Sequence, residues 1–264
     1  MKNIIFILLF VVLNGATCEK EHEVVRSFCY WKTDLNFENT DDSLIKDLKV
    51  KHLYIRFFDV DWNPYKKEPL PVATIKKLDF NETNPEITPS IFITNAVVLE
   101  SSKGQLDTLD KQIQKRIKEI GQRYVNHKAE TNASKILYAG YYTQKGDFRK
   151  RLNFDSIKAV ELAKLEPNFN EVLIDCDWTE QSKENYFYLL EQIKKELENC
   201  QLSATIRLWQ YKYYEKAGIP PVDRGLLMCY NLSNPNDYMA KNSIGTSDEL
   251  EKYITHSDYE LDLD

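Results

Sequence analysis

The chain has 264 residues, 42% of them hydrophobic and 29% charged, which describes a folded globular chain and excludes intrinsic disorder. Its 35 basic and 41 acidic residues leave a formal net charge of -6, so no basic surface is expected to hold a nucleic-acid backbone by counterion release. Aromatics reach 12%, with 16 tyrosines and 4 tryptophans, a content that suits stacking on sugar rings and filling a core equally well.

The first 18 residues, MKNIIFILLFVVLNGATC, place a lysine before an apolar stretch from Ile4 to Leu13 and small residues before Cys18. That pattern predicts an export signal, with an apolar stretch too short to span a bilayer comfortably. The stretch NGATC is a loose lipobox, which predicts lipidation at Cys18 and a lipid-anchored protein of the cell envelope. In the freely secreted alternative, Cys18 is only a leader residue.

Downstream, residues 19–264 read as one domain. Apolar runs of strand length recur at Val25 to Trp31, His52 to Phe58, Ser90 to Ala96, Val172 to Asp177, Leu202 to Leu208 and Gly225 to Asn231. Between them, Leu106, Leu109, Ile113, Ile117, Ile120 and Tyr124 recur at spacings of three and four and predict a helix over 105–124 with a solvated basic face. A second helix is predicted over Lys183 to Leu197, and a third over Ser156 to Leu165, capped by Asp155 or Asn153. The proline-rich stretches NPYKKEPLP and NETNPEITP read as connecting loops, and residues 127–148 as an extra strand or hairpin.

Strands alternating with helices predict βαβ units and a parallel sheet, either doubly wound or a (β/α)8 barrel. No G-x-G-x-x-G follows the first strand and no G-x-x-x-x-G-K-[ST] occurs, which removes the usual support for a nucleotide-binding sheet and favours the barrel. Polar residues gather at the C-terminal ends of the runs, among them Asp59, Asp61, Asn95, Asp175, Asp177, Tyr230 and Asn231, where barrel enzymes keep their chemistry. The last run, DYELDLD, opens like a seventh strand, so the expected fold is a TIM-type barrel lacking its final two strands, with a six-stranded open sheet as the alternative.

Asp175 and Asp177 end the fourth run two residues apart, so they share one face while Ile174, Cys176 and Trp178 take the other. Two neighbouring carboxyls raise one another's proton affinity, leaving one protonated near neutrality while the other is ionised, as acid and base catalysis requires. The alternative is a structural network in which Arg56 and Arg207, on neighbouring runs, neutralise them. Cys29, Cys176, Cys200 and Cys229 show no metal spacing, and His22, His52, His127 and His256 are scattered, so neither a metal nor another cofactor is expected. Whether two of the cysteines form a disulfide stays open.

The stretch LIDCDWTE resembles the fourth-strand signature of family 18 glycoside hydrolases, the chitinase-like barrels, whose pattern is D-x-x-D-x-D-x-E. LLMCYNL is similar to the M-x-Y-D or M-x-Y-N stretch of those enzymes and sets Met228, Tyr230 and Asn231 in matching positions. As a whole, from about Val25 onward, the chain looks closer to a group of bacterial lipoproteins of unassigned function with a glycosidase-like barrel. The resemblance implies that Tyr230 and Asn231 hold a sugar's acetamido group. It also implies a glutamate acid where this chain has Thr179, and a first aspartate where it has Val172. Glu180 lies one residue late: it could serve as the acid only if a bulge at the strand end re-aimed it, and otherwise reads as a residue of the following helix's first turn.

The expected function is therefore an exported glycoside-hydrolase-like protein acting on a carbohydrate, with Asp175 and Asp177 as carboxyl groups. Tyr230, Asn231, Arg207, Trp209 and Asp223 are expected to shape the sugar site. A non-catalytic glycan-binding or scaffold lipoprotein of the same fold is the rival, favoured by Thr179. A surface protein with a protein partner is the third possibility.

Overall fold

The computed structural model describes residues 24–36, 39–79, 85–143, 153–166, 169–197, 199–230, 232, 239, 242, 244–254 and 259–264. Cys18 and Asn231 therefore lie outside the described residues. In chain order the described elements begin with β1 (Ser27–Tyr30), β2 (Asp34–Asn36), α1 (Asn39–Asp47), β3 (His52–Asn63), β4 (Glu68–Val72), β5 (Lys77–Asp79), β6 (Glu86–Ile93) and α2 (Asn95–Glu100). They continue with α3 (Lys103–Thr143), α4 (Phe154–Leu162), β7 (Glu171–Asp175), α5 (Lys183–Glu196), β8 (Gln201–Arg207), α6 (Leu208–Lys212), α7 (Tyr214–Ala217), β9 (Arg224–Met228) and α8 (Ser247–Glu251).

Strands β1, β3, β6, β7, β8 and β9 lie side by side in that order, all parallel, so each step of the sheet follows the direction of the chain. Parallel strands added one place at a time curl a sheet toward a barrel. The result here is a curled six-stranded parallel sheet, a partial barrel, and closure over eight strands is not seen among the described residues. The DYELDLD run pairs as expected: Gly225 N donates to Asp262 O at 2.8 Å and Leu227 N to Asp264 O at 2.9 Å, with Gly225 and Leu263 in parallel register.

Each predicted strand is present, with shifted ends. β3 runs on to Asn63 and turns back through β4, so the stretch read as a proline-rich loop is an antiparallel hairpin. Pro69 and Pro71 fit there because β4 is an edge strand, where a missing N–H breaks no further ladder. β6 begins at Glu86, so the end of the second proline-rich stretch is strand as well. The extra strand or hairpin expected over 127–148 is instead a continuation of α3 to Thr143. Val125, Ala129 and Ala133 are buried at helical spacing along it, small enough for close packing, and Lys158 of α4 bonds Glu130 at 2.5 Å. α4 starts two residues earlier than expected, and of its two candidate caps Asn153 is the one whose side chain accepts from Asp155 N.

The two faces of the sheet divide by chemistry. Leu53, Ile55, Ile91, Val172, Ile174, Ala204 and Ile206 form one buried cluster with Leu106 and Ile113 of α3 and Tyr186 and Leu190 of α5. Burying such a side chain contributes about 1.5 to 3 kcal/mol, so this helix-covered face carries the fold. Because register partners in a parallel sheet point the same way, the other face brings together Arg56, Ser90 and Leu173, and, one layer further along, Asp59, Phe92 and Asp175.

Candidate functional site

The inner face of the curl is polar, and its C-terminal rim holds the acids. Asp175 is the last residue of β7 and is buried, with Thr205 of β8 donating Oγ1 to its Oδ1 at 2.7 Å. Burial pushes its carboxyl up to about 6, against the Thr205 hydrogen bond; the Asp177 and Asp59 charges push the same way, and Arg207 opposes them. Near neutrality this group exchanges its proton readily, the property asked of a general acid or base.

Asp177 follows the strand. Arg207, the last residue of β8, grips it with two donors, Nε to Oδ1 and Nη2 to Oδ2, the second at 2.7 Å. The pair is half open to solvent, the Asp177 side chain being 45% exposed. That hydrogen bond in turn pushes the Arg207 guanidinium above its ordinary value. Meanwhile Ile174, Cys176 and Trp178 lie fully buried in the core, so the alternation expected along this ribbon holds through Trp178 although the strand itself ends at Asp175. Trp178 fixes the ribbon's end: its ring stacks on Tyr186 at 5.0 Å and its Nε1 donates to Ala217 O at 3.0 Å.

Tyr230 sits 39% exposed just beyond β9, with its hydroxyl 3.7 Å from Met228 Sδ. Partial burial pushes its phenol up, as do the Asp175 and Asp177 charges, while Arg207 opposes, which places all four groups in one electrostatic neighbourhood. Trp209 is 39% exposed in α6, two residues beyond Arg207.

Asp223 is not brought to this rim. It precedes β9, where its Oδ2 accepts from Leu202 N at 2.9 Å and its Oδ1 pairs with Lys194 at 2.6 Å, at the N-terminal end of the sheet. Leu202 and Arg207 are separated by five residues of extended chain, roughly 16 Å at the usual rise. Its sequence neighbour Arg224 bonds Asp264 instead, at 3.0 Å.

Two contacts of the acids escape a reading of the sequence. Arg56 and Asp59 are three residues apart, which in a regular strand sets them on opposite faces. The register shift between Arg56 and Phe58 turns Phe57 into the core and brings Asp59 round to the inner face, where Arg56 binds it through Nε at 2.6 Å and through Nη2. Arg56 thus neutralises Asp59, while Asp177 is matched by Arg207. Thr205 is the other, an unremarked residue of a β-propensity run. The only sequence signal for either is position, near the C-terminal end of a strand.

The position where the family resemblance asks for a glutamate carries Thr179, whose backbone N–H takes the Ser182 Oγ as acceptor at 2.9 Å. Ser182 in turn donates to Asn95 Oδ1 at 2.5 Å, so this corner is tied off by hydroxyls. Glu180 is exposed in the turn ahead of α5. At the N-terminal end of the inner face a second polar layer joins His52, whose Nε2 lies 2.8 Å from Thr88 Oγ1, to Glu171, which accepts from the same hydroxyl at 3.1 Å.

No known protein family matches the chain, and no curated protein does. Among solved structures it is similar to the spore cortex-lytic enzyme SleL of Bacillus cereus, at 14% identity and a TM-score of 0.36 over 78% of this chain and 41% of that one. It is also similar to the chitinase ICChI of Ipomoea carnea, at 11% identity and a TM-score of 0.38 over 87% of this chain and 75% of that one. The chain thus spans less than half the length of the cortex-lytic enzyme.

Proposed function

We propose that the protein is an exported glycoside-hydrolase-like barrel that acts on a carbohydrate through Asp175 and Asp177. The observation that carries this reading is the placement of Asp175: a buried carboxyl at the C-terminal rim of a parallel sheet, beside a carboxylate held by arginine, with burial pushing it up to about 6. In this scheme Asp175 gives its proton to the leaving oxygen as the glycosidic bond breaks, Asp177, fixed by Arg207, supplies the negative charge that meets the developing positive charge on the sugar, and water adds to the anomeric carbon, returning a proton to Asp175. Tyr230 and Trp209 contact the ring, with Asn231 next to Tyr230 in sequence. Export with a lipid on Cys18 belongs to the same proposal and is tested by incorporation of labelled fatty acid into the wild type and not into Cys18→Ala.

The deciding experiment measures reducing-end release from a polysaccharide panel. The wild type is expected to release sugar, with Asp175→Asn and Asp177→Asn each slower by about 100-fold or more. Activity in either variant equal to wild type removes that residue from the mechanism. A second reading, glycan binding without turnover, is favoured by the hydroxyl-bonded corner at Thr179 and by the bidentate neutralisation of Asp177. Saturable glycan binding by a wild type that releases no reducing ends selects it.

A further inference from the structure

On the helix-covered side of the sheet, away from the acids, the β3–β4 hairpin and α3 enclose a groove of about 340 Å³, the size of a small-molecule site. Its floor is apolar, made by the buried side chains of Phe58, Val60, Leu109 and Ile113, and Leu70 and Pro71 of β4 form one wall. One charged group faces this apolar surface without a counter-charge. Arg116 of α3 lays its guanidinium over the Phe58 ring at 5.7 Å, and its Nη2 donates to Thr74 Oγ1 at 2.6 Å. Its Nε is buried and donates to no described residue. The two acids lining the groove are engaged with lysines, Glu119 with Lys115 at 3.9 Å and Glu68 with Lys66 at 3.8 Å, and among the described residues no carboxylate pairs with Arg116.

A guanidinium over an aromatic face, with an unpartnered N–H and an apolar floor beneath, is a receptor for a planar anion carried on a compact hydrophobic body. We propose that this groove binds a small organic carboxylate, its carboxyl group on Arg116 and its apolar part against Phe58 and Leu70. The site is independent of the rim carboxylates, and nothing in the argument uses the proposed glycosidase chemistry.

The test is calorimetric or NMR titration of the whole chain with benzoate, benzamide being the uncharged control. Saturable one-to-one benzoate binding is expected, with a dissociation constant of order 1 mM for so small a ligand. Benzamide and the Arg116→Gln variant are each expected to bind about tenfold more weakly. Leu70→Trp fills the groove without touching the guanidinium and is expected to abolish binding, so the proposal stays testable if Arg116→Gln does not fold. Absence of saturable benzoate binding to the wild type overturns it, as does equal binding of benzamide, or binding that survives both substitutions unchanged.

Discussion

Thr205 Oγ1 donates to Asp175 Oδ1 at 2.7 Å across the β7–β8 boundary, the one direct hydrogen bond described for this buried carboxyl. It stabilises the ionised form against burial, which pushes the group the other way. Thr205→Val keeps the shape and removes the donor, so the Asp175 pKa is expected to rise from about 6 by roughly one further unit. Carbon-detected NMR titration of the aspartate carboxyls measures this directly, and an unchanged midpoint refutes the assigned role.

Asp175 also makes the fold sensitive to pH. Its folded pKa of about 6 lies above the ordinary aspartate value of 3.8, so between those values the native state binds more protons than the unfolded chain. Stability contributed by this group is therefore full below about pH 4 and is lost as pH rises through about 6. A two-unit difference corresponds to about 3 kcal/mol. Asp175→Asn keeps the Thr205 contact without the buried charge and is expected to be more stable than wild type at neutral pH, by up to that amount. Urea unfolding at a series of pH values checks it; a wild type and variant with parallel pH curves would show that Asp175 is not the group responsible.

The Asp177–Arg207 pair tunes the same proton from two directions. The Asp177 charge raises Asp175 and the Arg207 charge lowers it, both weaker than burial itself. Asp177→Asn is thus expected to move the Asp175 midpoint down and Arg207→Gln to move it up. Because the two side chains are 45% and 31% exposed, water screens the bridge and either substitution is expected to cost under about 1 kcal/mol. Shifts of the same sign in both variants are incompatible with the arrangement described.

Much of this site is visible in the residue pattern because a buried strand end forces a binary choice. Ile174, Cys176 and Trp178 have to enter the core, and that alone turns Asp175 and Asp177 to the opposite side. What stays hidden follows from the same rule. A bulge at Phe57 breaks the period of two and cannot be read from IRFFD, so the Arg56–Asp59 pair emerges only in three dimensions. The second half of α3 is held by Val125, Ala129 and Ala133, whose small side chains give no apolar run to notice. Asp223 sits close in sequence to Tyr230, yet a whole strand, β9, carries the chain from one end of the sheet to the other between them.

Trp178 anchors the ribbon that carries both acids. Its ring is fully buried against Tyr186, with an edge contact to Phe187 at 6.0 Å, and its indole N–H satisfies a buried carbonyl. Trp178→Ala is expected to cost about 3 to 5 kcal/mol, and Trp178→Phe less, the Ala217 carbonyl then being left without that donor. Denaturant midpoints rank the three proteins. If Trp178→Phe equals wild type, the indole hydrogen bond contributes nothing to holding the rim.

Asp223 gives the sharpest contrast with the acids of the rim. Burial works against its ionisation, but the Leu202 N–H and the Lys194 ammonium outweigh it and hold the carboxyl below its ordinary value. A depressed folded pKa contributes stability that is present above the unfolded value, about 4, and is lost as pH falls through the folded one. Asp223→Asn keeps the acceptor for Leu202 N and removes the ion pair, whose side chains are 44% and 35% exposed, so the cost at neutral pH is expected to stay under about 1 kcal/mol. With the length of β8 lying between Asp223 and the Asp177–Arg207 rim, this substitution is expected to leave carbohydrate binding and any reducing-end release at the wild-type level. A loss of either comparable to that of Asp177→Asn would mean that the sugar reaches the N-terminal end of the sheet, and the rim would then no longer define the site.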